Sequence, residues 1–171
     1  LEHDVIERDI SEAAKRLLAL CRERHWMVAA AESCTGGLVV AALTEIPGSS
    51  DVVDRGFVTY SNAAKQSMLG VRPATLKKFG AVSRETANAM AAGALAKSNA
   101  HLAVAITGIA GPGGGSRGKP VGLVHFAAAA RDGRRLHRAR RYGKIGRCKV
   151  RLKSVAEALA MLELLASGAH P

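Results

Sequence analysis

LAVAIT, residues Leu102-Ala103-Val104-Ala105-Ile106-Thr107, is an apolar run that opens into a glycine-rich loop, Gly108-Ile109-Ala110-Gly111-Pro112-Gly113-Gly114-Gly115-Ser116. A short apolar run bounded by turn residues reads as a buried strand. Two further strands are read upstream, Met27 to Ala31 and Gly56 to Tyr60. Helical patterns separate the three. Asp4 to Arg24 keeps a helical apolar period, and Thr35 to Glu45 reads as a helix ended by Pro47-Gly48. Ser61 or Asn62 caps a helix running to Leu69, with Gly70 as its stop, and Ser83 opens an Ala-rich helix over 84–98. Beyond the glycine loop, Val121 to Ala129 and Leu136 to Tyr142 read as two strands joined through Asp132-Gly133, a hairpin signal, and Val150 to Ala166 as a closing helix. Three strands separated by helices, then a hairpin, imply an α/β protein: a mainly parallel sheet with one antiparallel member and helices on both faces.

The chain has 171 residues, enough for one domain, expected over 4–168. Leu1-Glu2-His3 lacks an initiator Met and reads as a trimmed end. Aromatic residues are only 4 % of the chain, so the core must be built from Ala, Val, Leu and Ile. No apolar run approaches the roughly 18 residues of a membrane span, so a soluble, cytoplasmic protein without a membrane partner is expected. Cys21, Cys34 and Cys148 have no metal-like spacing and are expected as reduced thiols. Net charge is +11, of which residues 131–153 carry +10 through eleven Lys/Arg against Asp132. Such a stripe can bind nucleic acid, hold a phosphorylated small molecule, or simply be solvated.

In parallel α/β sheets ligands collect beyond the carboxyl ends of strands. Three such ends carry polar residues: Glu32-Ser33-Cys34-Thr35-Gly36-Gly37, Tyr60-Ser61-Asn62-Ala63-Ala64-Lys65, and Thr107-Gly108 with its loop. Parallel strands would bring them to one crevice. Ser33 is a candidate nucleophile, with helix-start amides as oxyanion donors, but Ser33 or Thr35 could equally be an N-cap. Lys65 is the candidate base; it must be neutral, and the alternative is a solvated surface lysine. His25 and His101 lie at the wrong strand ends and His125 within a strand, so a histidine base is not expected. Cys34 reads as a small core group rather than a nucleophile. No cluster has metal-ligand spacing. The glycine loop could wrap a phosphate with its amides, though it matches neither the P-loop nor the dinucleotide pattern.

Taken together, AESCTGG at 31–37, RGFVTYSNAAK at 55–65, LGV at 69–71, GAVS at 80–83, TGIAGPGGGS at 107–116 and KPVG at 119–122 resemble the CinA C-terminal domain family. That family includes nicotinamide mononucleotide deamidases, also called nicotinamide-nucleotide amidohydrolases. The resemblance implies a three-layer α/β/α fold with a five-stranded mixed sheet, in a stand-alone, homo-oligomeric enzyme of NAD recycling. It implies hydrolysis of the carboxamide of nicotinamide mononucleotide without metal or other cofactor. It implies Ser33 as nucleophile and Lys65 as base, supported by Tyr60 and Thr107, and substrate contacts from Cys34, Thr35, Gly36, Gly37, Asn62, Gly108 and Gly111. Ala63 stands where many relatives carry an acid. The Gly-Asp-Arg that commonly precedes the last helix is Ile145-Gly146-Arg147 here, which keeps Arg147 as a candidate phosphate binder.

The rival from another class is a non-catalytic nucleotide- or nucleic-acid-binding module using the 131–153 stripe. Nucleic-acid binding would fall steeply with salt, and the scarcity of aromatic residues removes a base-stacking surface. Nucleic acid is therefore not the expected partner.

Overall fold

In a computed structural model, which describes residues 2–168, one five-stranded sheet runs in the order β2-β1-β3-β4-β5. The strands are β1 (Val28–Glu32), β2 (Val53–Val58), β3 (Leu102–Gly108), β4 (Leu123–Ala130) and β5 (Arg135–Arg141). β1 pairs in parallel with both β2 and β3, and only β4 runs against the others. The helices are α1 (Glu2–Glu23), α2 (Leu38–Thr44), α3 (Asn62–Leu69), α4 (Pro73–Phe79), α5 (Arg84–Ala96) and α6 (Arg147–Ser167).

Two cores separate the layers. On one face of the sheet Val28, Leu102, Val104, Ile106, Val124 and Phe126 bury against α1, α2 and α6 through Leu17, Leu18, Val39, Leu43, Leu159 and Leu162. On the other, Ala29, Ala31, Ala103, Ala105, Ala127 and Ala129 meet α5 through Ala87, Met90, Ala91 and Ala94. The alternation along each strand supplies both faces, as a sheet covered on both sides requires. The three-layer fold and its single antiparallel strand agree with the sequence reading.

Boundaries differ in instructive places. β2 ends at Val58 rather than Tyr60, because register with β1 ends at Glu32↔Val58 and the chain then turns into the Ser61 cap of α3. α2 starts at Leu38 rather than Thr35, with Gly36 and Gly37 in the left-handed region at φ 60° and 103°. α4 is not foreseen: Pro73 occupies its first turn, but seven residues are too few to show a period. α6 begins at Arg147, one turn before Val150.

α3 is brought close to α5 at one point. A Cβ at Gly93 would collide with the Leu69 carbonyl, so the glycine lets the end of α3 rest on α5. That contact fixes the helix carrying Lys65.

Candidate active site

Because β1 and β2 are parallel neighbours, the segments after Glu32 and Val58 emerge side by side. Ser61 Oγ accepts the Ala64 N–H at 3.0 Å and starts α3, which puts Lys65 in the first turn. A helical side chain leans toward its own N-terminus. Lys65 accordingly runs back under the turn, where Nζ lies 2.8 Å from Thr59 O, 3.3 Å from Tyr60 O and 3.1 Å from Ser33 Oγ.

Lys65 is 1 % exposed, and all three of its hydrogen-bond partners are uncharged. Burial pushes its pKa below the ordinary ammonium value. The three contacts suit an ammonium giving three N–H, or an amine giving two to the carbonyls and accepting one from the Ser33 hydroxyl. Desolvation without a counter-charge favours the amine. The adjoining Cys34 supplies no anion either, since burial pushes its thiol up to about 11.

The capping expectation for Ser33 or Thr35 is corrected by the structure. Glu32, the last residue of β1 and fully buried, accepts the Val39 N–H on Oε1 at 2.9 Å and the Val40 N–H on Oε2 at 3.2 Å. A carboxylate at a helix N-terminus satisfies orphan donors and faces the positive end of the dipole. Ser33 is thereby released from capping. The same contacts correct the expected oxyanion donors: the α2 amides of Val39 and Val40 are taken by Glu32, and that of Leu38 by Thr35 O.

A cavity of about 270 Å³ opens over this pair, lined by Ser33, Cys34, Tyr60, Lys65, Thr107, Gly108, Gly111 and Arg147 among the residues singled out in the sequence. Thr35, Gly36, Gly37 and Asn62 are not among its lining residues. Thr107 does not hydrogen-bond Ser33 or Lys65: its Oγ1 donates to Ala81 O at 2.7 Å and holds the 80–83 loop as a wall. Tyr60 is 62 % exposed at the rim, where its hydroxyl accepts from Arg147 Nη2 at 3.0 Å, while Arg147 Nη1 donates to Gly111 O at 2.8 Å. Gly113 and Gly114 add the glycine loop to the wall. Sequence reasoning gives no role to Glu32, Ala81, Val82 or Arg151, although Glu32 adjoins Ser33 and Ala81 and Val82 lie in the GAVS stretch at 80–83.

The basic stripe is largely engaged within the chain. Arg131 donates to Leu95, Ser98 and Ala100 carbonyls at the end of α5, and Arg134 to Leu165 O near the end of α6. Arg138 and Arg140 share Glu157, with shortest contacts of 2.8 Å each. These cations serve helix ends and an inter-element ion pair.

A model of the CinA C-terminal domain matches residues 10–166. The chain is 51 % identical over 128 residues to a protein of Enterobacter agglomerans named nicotinamide-nucleotide amidohydrolase PncC, covering 75 % of this chain and 78 % of that one. It is 50 % identical over 127 residues to a putative competence-damage inducible protein of Caldicellulosiruptor bescii, but covers only 30 % of that longer protein. A CinA-like protein of a Synechococcus strain matches at 50 % identity over 91 % of this chain and 37 % of its own length. The chain thus spans about a third of these two longer curated relatives. Among solved structures, the competence/damage inducible protein CihA from Agrobacterium tumefaciens superposes with a TM-score of 0.91 at 60 % identity, over 93 % of this chain and 96 % of that one. A CinA superfamily protein from Klebsiella pneumoniae gives 0.87 at 35 % identity, over 93 % and 98 %.

Proposed function

The chain belongs to the CinA C-terminal domain family, and from that membership and the Ser33–Lys65 contact we propose that it hydrolyses nicotinamide mononucleotide to nicotinate mononucleotide and ammonia. The observation that carries the reading is the buried Lys65 Nζ, 3.1 Å from Ser33 Oγ and without a carboxylate among its hydrogen-bond partners.

In this reading the Lys65 amine takes the Ser33 proton as Oγ attacks the carboxamide carbon, giving a tetrahedral oxyanion. The Lys65 ammonium returns that proton to the amide nitrogen, the C–N bond breaks, and ammonia leaves an acyl-Ser33 ester. Water, deprotonated by the same amine, attacks the ester; its carbonyl re-forms, and Ser33 Oγ departs with the proton from Lys65. Burial lowers the Lys65 pKa, which favours the amine that this step requires. Arg147 and the glycine loop line the cavity at its rim and would hold the 5′-phosphate. Thr107 shapes the wall through Ala81, and Tyr60 orients Arg147.

The test is ammonia release from nicotinamide mononucleotide, nicotinamide riboside and nicotinamide. Ser33→Ala and Lys65→Ala should each abolish release while keeping the circular-dichroism spectrum. A folded Ser33→Ala that still turned over would sink the covalent step, and no release from any amide would remove the activity.

A further inference from the structure

Two loops line the cavity, and one ammonium joins them. Ala81 and Val82 come from the loop between α4 and α5, and Gly111, Gly113 and Gly114 from the glycine loop. Lys119, at the foot of the glycine loop and not itself a lining residue, donates from Nζ to the carbonyl of Phe79, the last residue of α4. Gly80 lets the ammonium come in: its φ is +78°, and a Cβ there would stand 2.8 Å from Lys119 Nζ. A carbonyl at the end of a helix has no partner within that helix, and Lys119 supplies one from 40 residues away.

The two loops are held unequally. On the α4–α5 side, Gly80 O accepts from Ser83 Oγ at 3.0 Å and from Thr86 Oγ1 at 2.7 Å, and Ala81 O accepts from Thr107 Oγ1. The glycine loop, by contrast, is exposed from Pro112 to Gly118. It rests on the segment that begins with Lys119. A Cβ at Gly111 would stand 2.6 Å from Val121 Cγ1, one at Gly115 would stand 2.9 Å from Val121 N, and the Ser116 N–H donates to Lys119 O at 2.8 Å. Residues 119–121 are thus the seat of the glycine loop, and the Lys119 ammonium fastens that seat to the end of α4. From this we infer that Lys119 is a positioning residue, which sets the spacing between the glycine loop and Ala81-Val82 at which a mononucleotide is held. The assignment rests on the substrate proposed above, whose 5′-phosphate the glycine loop would hold. Ser33 and Lys65 stand on other elements, after β1 and on α3, and do not depend on the tie.

The experiment compares the wild type with Lys119→Met and Lys119→Arg, the latter keeping a charged donor. One readout is kcat and KM for ammonia release from nicotinamide mononucleotide. A second is the Kd of the same mononucleotide, by calorimetry in a Ser33→Ala background. Lys119→Met should raise KM and Kd about tenfold, the weight of a hydrogen bond from a charged group, while kcat stays within about twofold. Lys119→Arg should bring both constants back to within about threefold of the wild type. Hydrogen exchange should quicken over 110–118 and not over 80–86. A merely structural role would lower kcat and the melting temperature without this split between KM and kcat.

A Lys119→Met with wild-type KM and Kd overturns the assignment, as does one that lowers kcat and leaves KM alone, or a Lys119→Arg as impaired as Lys119→Met. Should Lys119→Met not fold, Lys119→Gln, which removes the charge and keeps a polar side chain, carries the same comparison. If the wild type releases no ammonia but Lys119→Met weakens mononucleotide binding about tenfold and quickens exchange over 110–118, the tie stands and the amidohydrolase reading fails. If the wild type deamidates and Lys119→Met changes neither constant, only the tie fails. A wild type that neither binds nor deamidates the mononucleotide overturns both.

Discussion

The Glu32 carboxylate accepts the Val39 N–H at 2.9 Å, so α2 is capped by the last residue of the strand that precedes the Ser33 turn. The cap of α2 and the nucleophile of the proposed reaction therefore reside in adjacent residues. Glu32→Ala strips one buried and one half-buried helix-start amide of their acceptor and should cost about 2–3 kcal/mol, read from the denaturant midpoint. Ser33→Ala should stay within about 0.5 kcal/mol of the wild type. The reverse ranking would return the capping role to Ser33.

Lys65 should set the acid limb of the activity profile. Burial lowers its folded pKa, so kcat/KM rises with pH through that folded value as the amine forms. The linkage has a definite sign: between the folded value and the unfolded one, near about 10.4, the unfolded chain binds the extra proton and stability rises with pH. Below the folded value the penalty is fully present. Lys65→Met should accordingly be inactive yet more stable than the wild type at pH 7, with the gain shrinking as pH rises toward about 10. Thermal melts at pH 7 and 10.5 would check it; a Lys65→Met that is less stable at pH 7 would contradict the burial argument.

The three cysteines should separate by alkylation. Burial pushes the Cys21 and Cys34 thiols up to about 11, whereas Cys148 is exposed. Iodoacetamide at pH 8 should label Cys148 in the native protein and all three only after unfolding, as counted by mass spectrometry. Rapid native labelling of Cys34 with loss of activity would reopen it as a nucleophile.

Arg147 reads the charged end of the substrate in the proposed reaction. Arg147→Gln should raise KM for the mononucleotide about 10–100-fold, the weight of a charge-assisted contact, while leaving turnover of any riboside accepted little changed. Tyr60→Phe, which removes only the phenol that accepts from Arg147 Nη2, should give a smaller rise. Equal effects on the two substrates would take the phosphate away from Arg147.

The architecture is legible in the sequence because each buried strand is a short apolar run and every intervening helix except α4 shows its period or its caps. Adjacency of Ser33 and Lys65 follows from the same logic once β1 and β2 are parallel neighbours. What stays hidden is hidden for physical reasons. The cap of α2 comes from a side chain seven and eight residues before the amides it serves, beyond the reach of any local capping pattern. Arg151 meets Cys34 and Thr35 across more than a hundred residues, and nothing in its neighbourhood distinguishes it from the rest of a basic stripe. β2 is misplaced by two to three residues because Thr59 and Tyr60 look like strand residues, while the actual edge strand exposes Arg55 and Gly56.

The two faces of the sheet differ in how they can absorb mutation. Between α1, α2 and α6 the leucines, valines and Phe126 can change rotamer to accommodate a neighbour's altered size. Beneath α5 the filling is mostly alanine on both sides, a thin layer with few torsions to adjust beyond those of Met90 and the flanking leucines. An added branch there has nowhere to fold away and must lift the helix. The 80–83 loop at the head of α5, tied to Thr107 through Ala81, would be lifted with it, so substitutions deep under this helix act as a screw on the width of the cavity mouth. Variation that accommodates larger substrates should accordingly accumulate under α5, far from any residue that touches them.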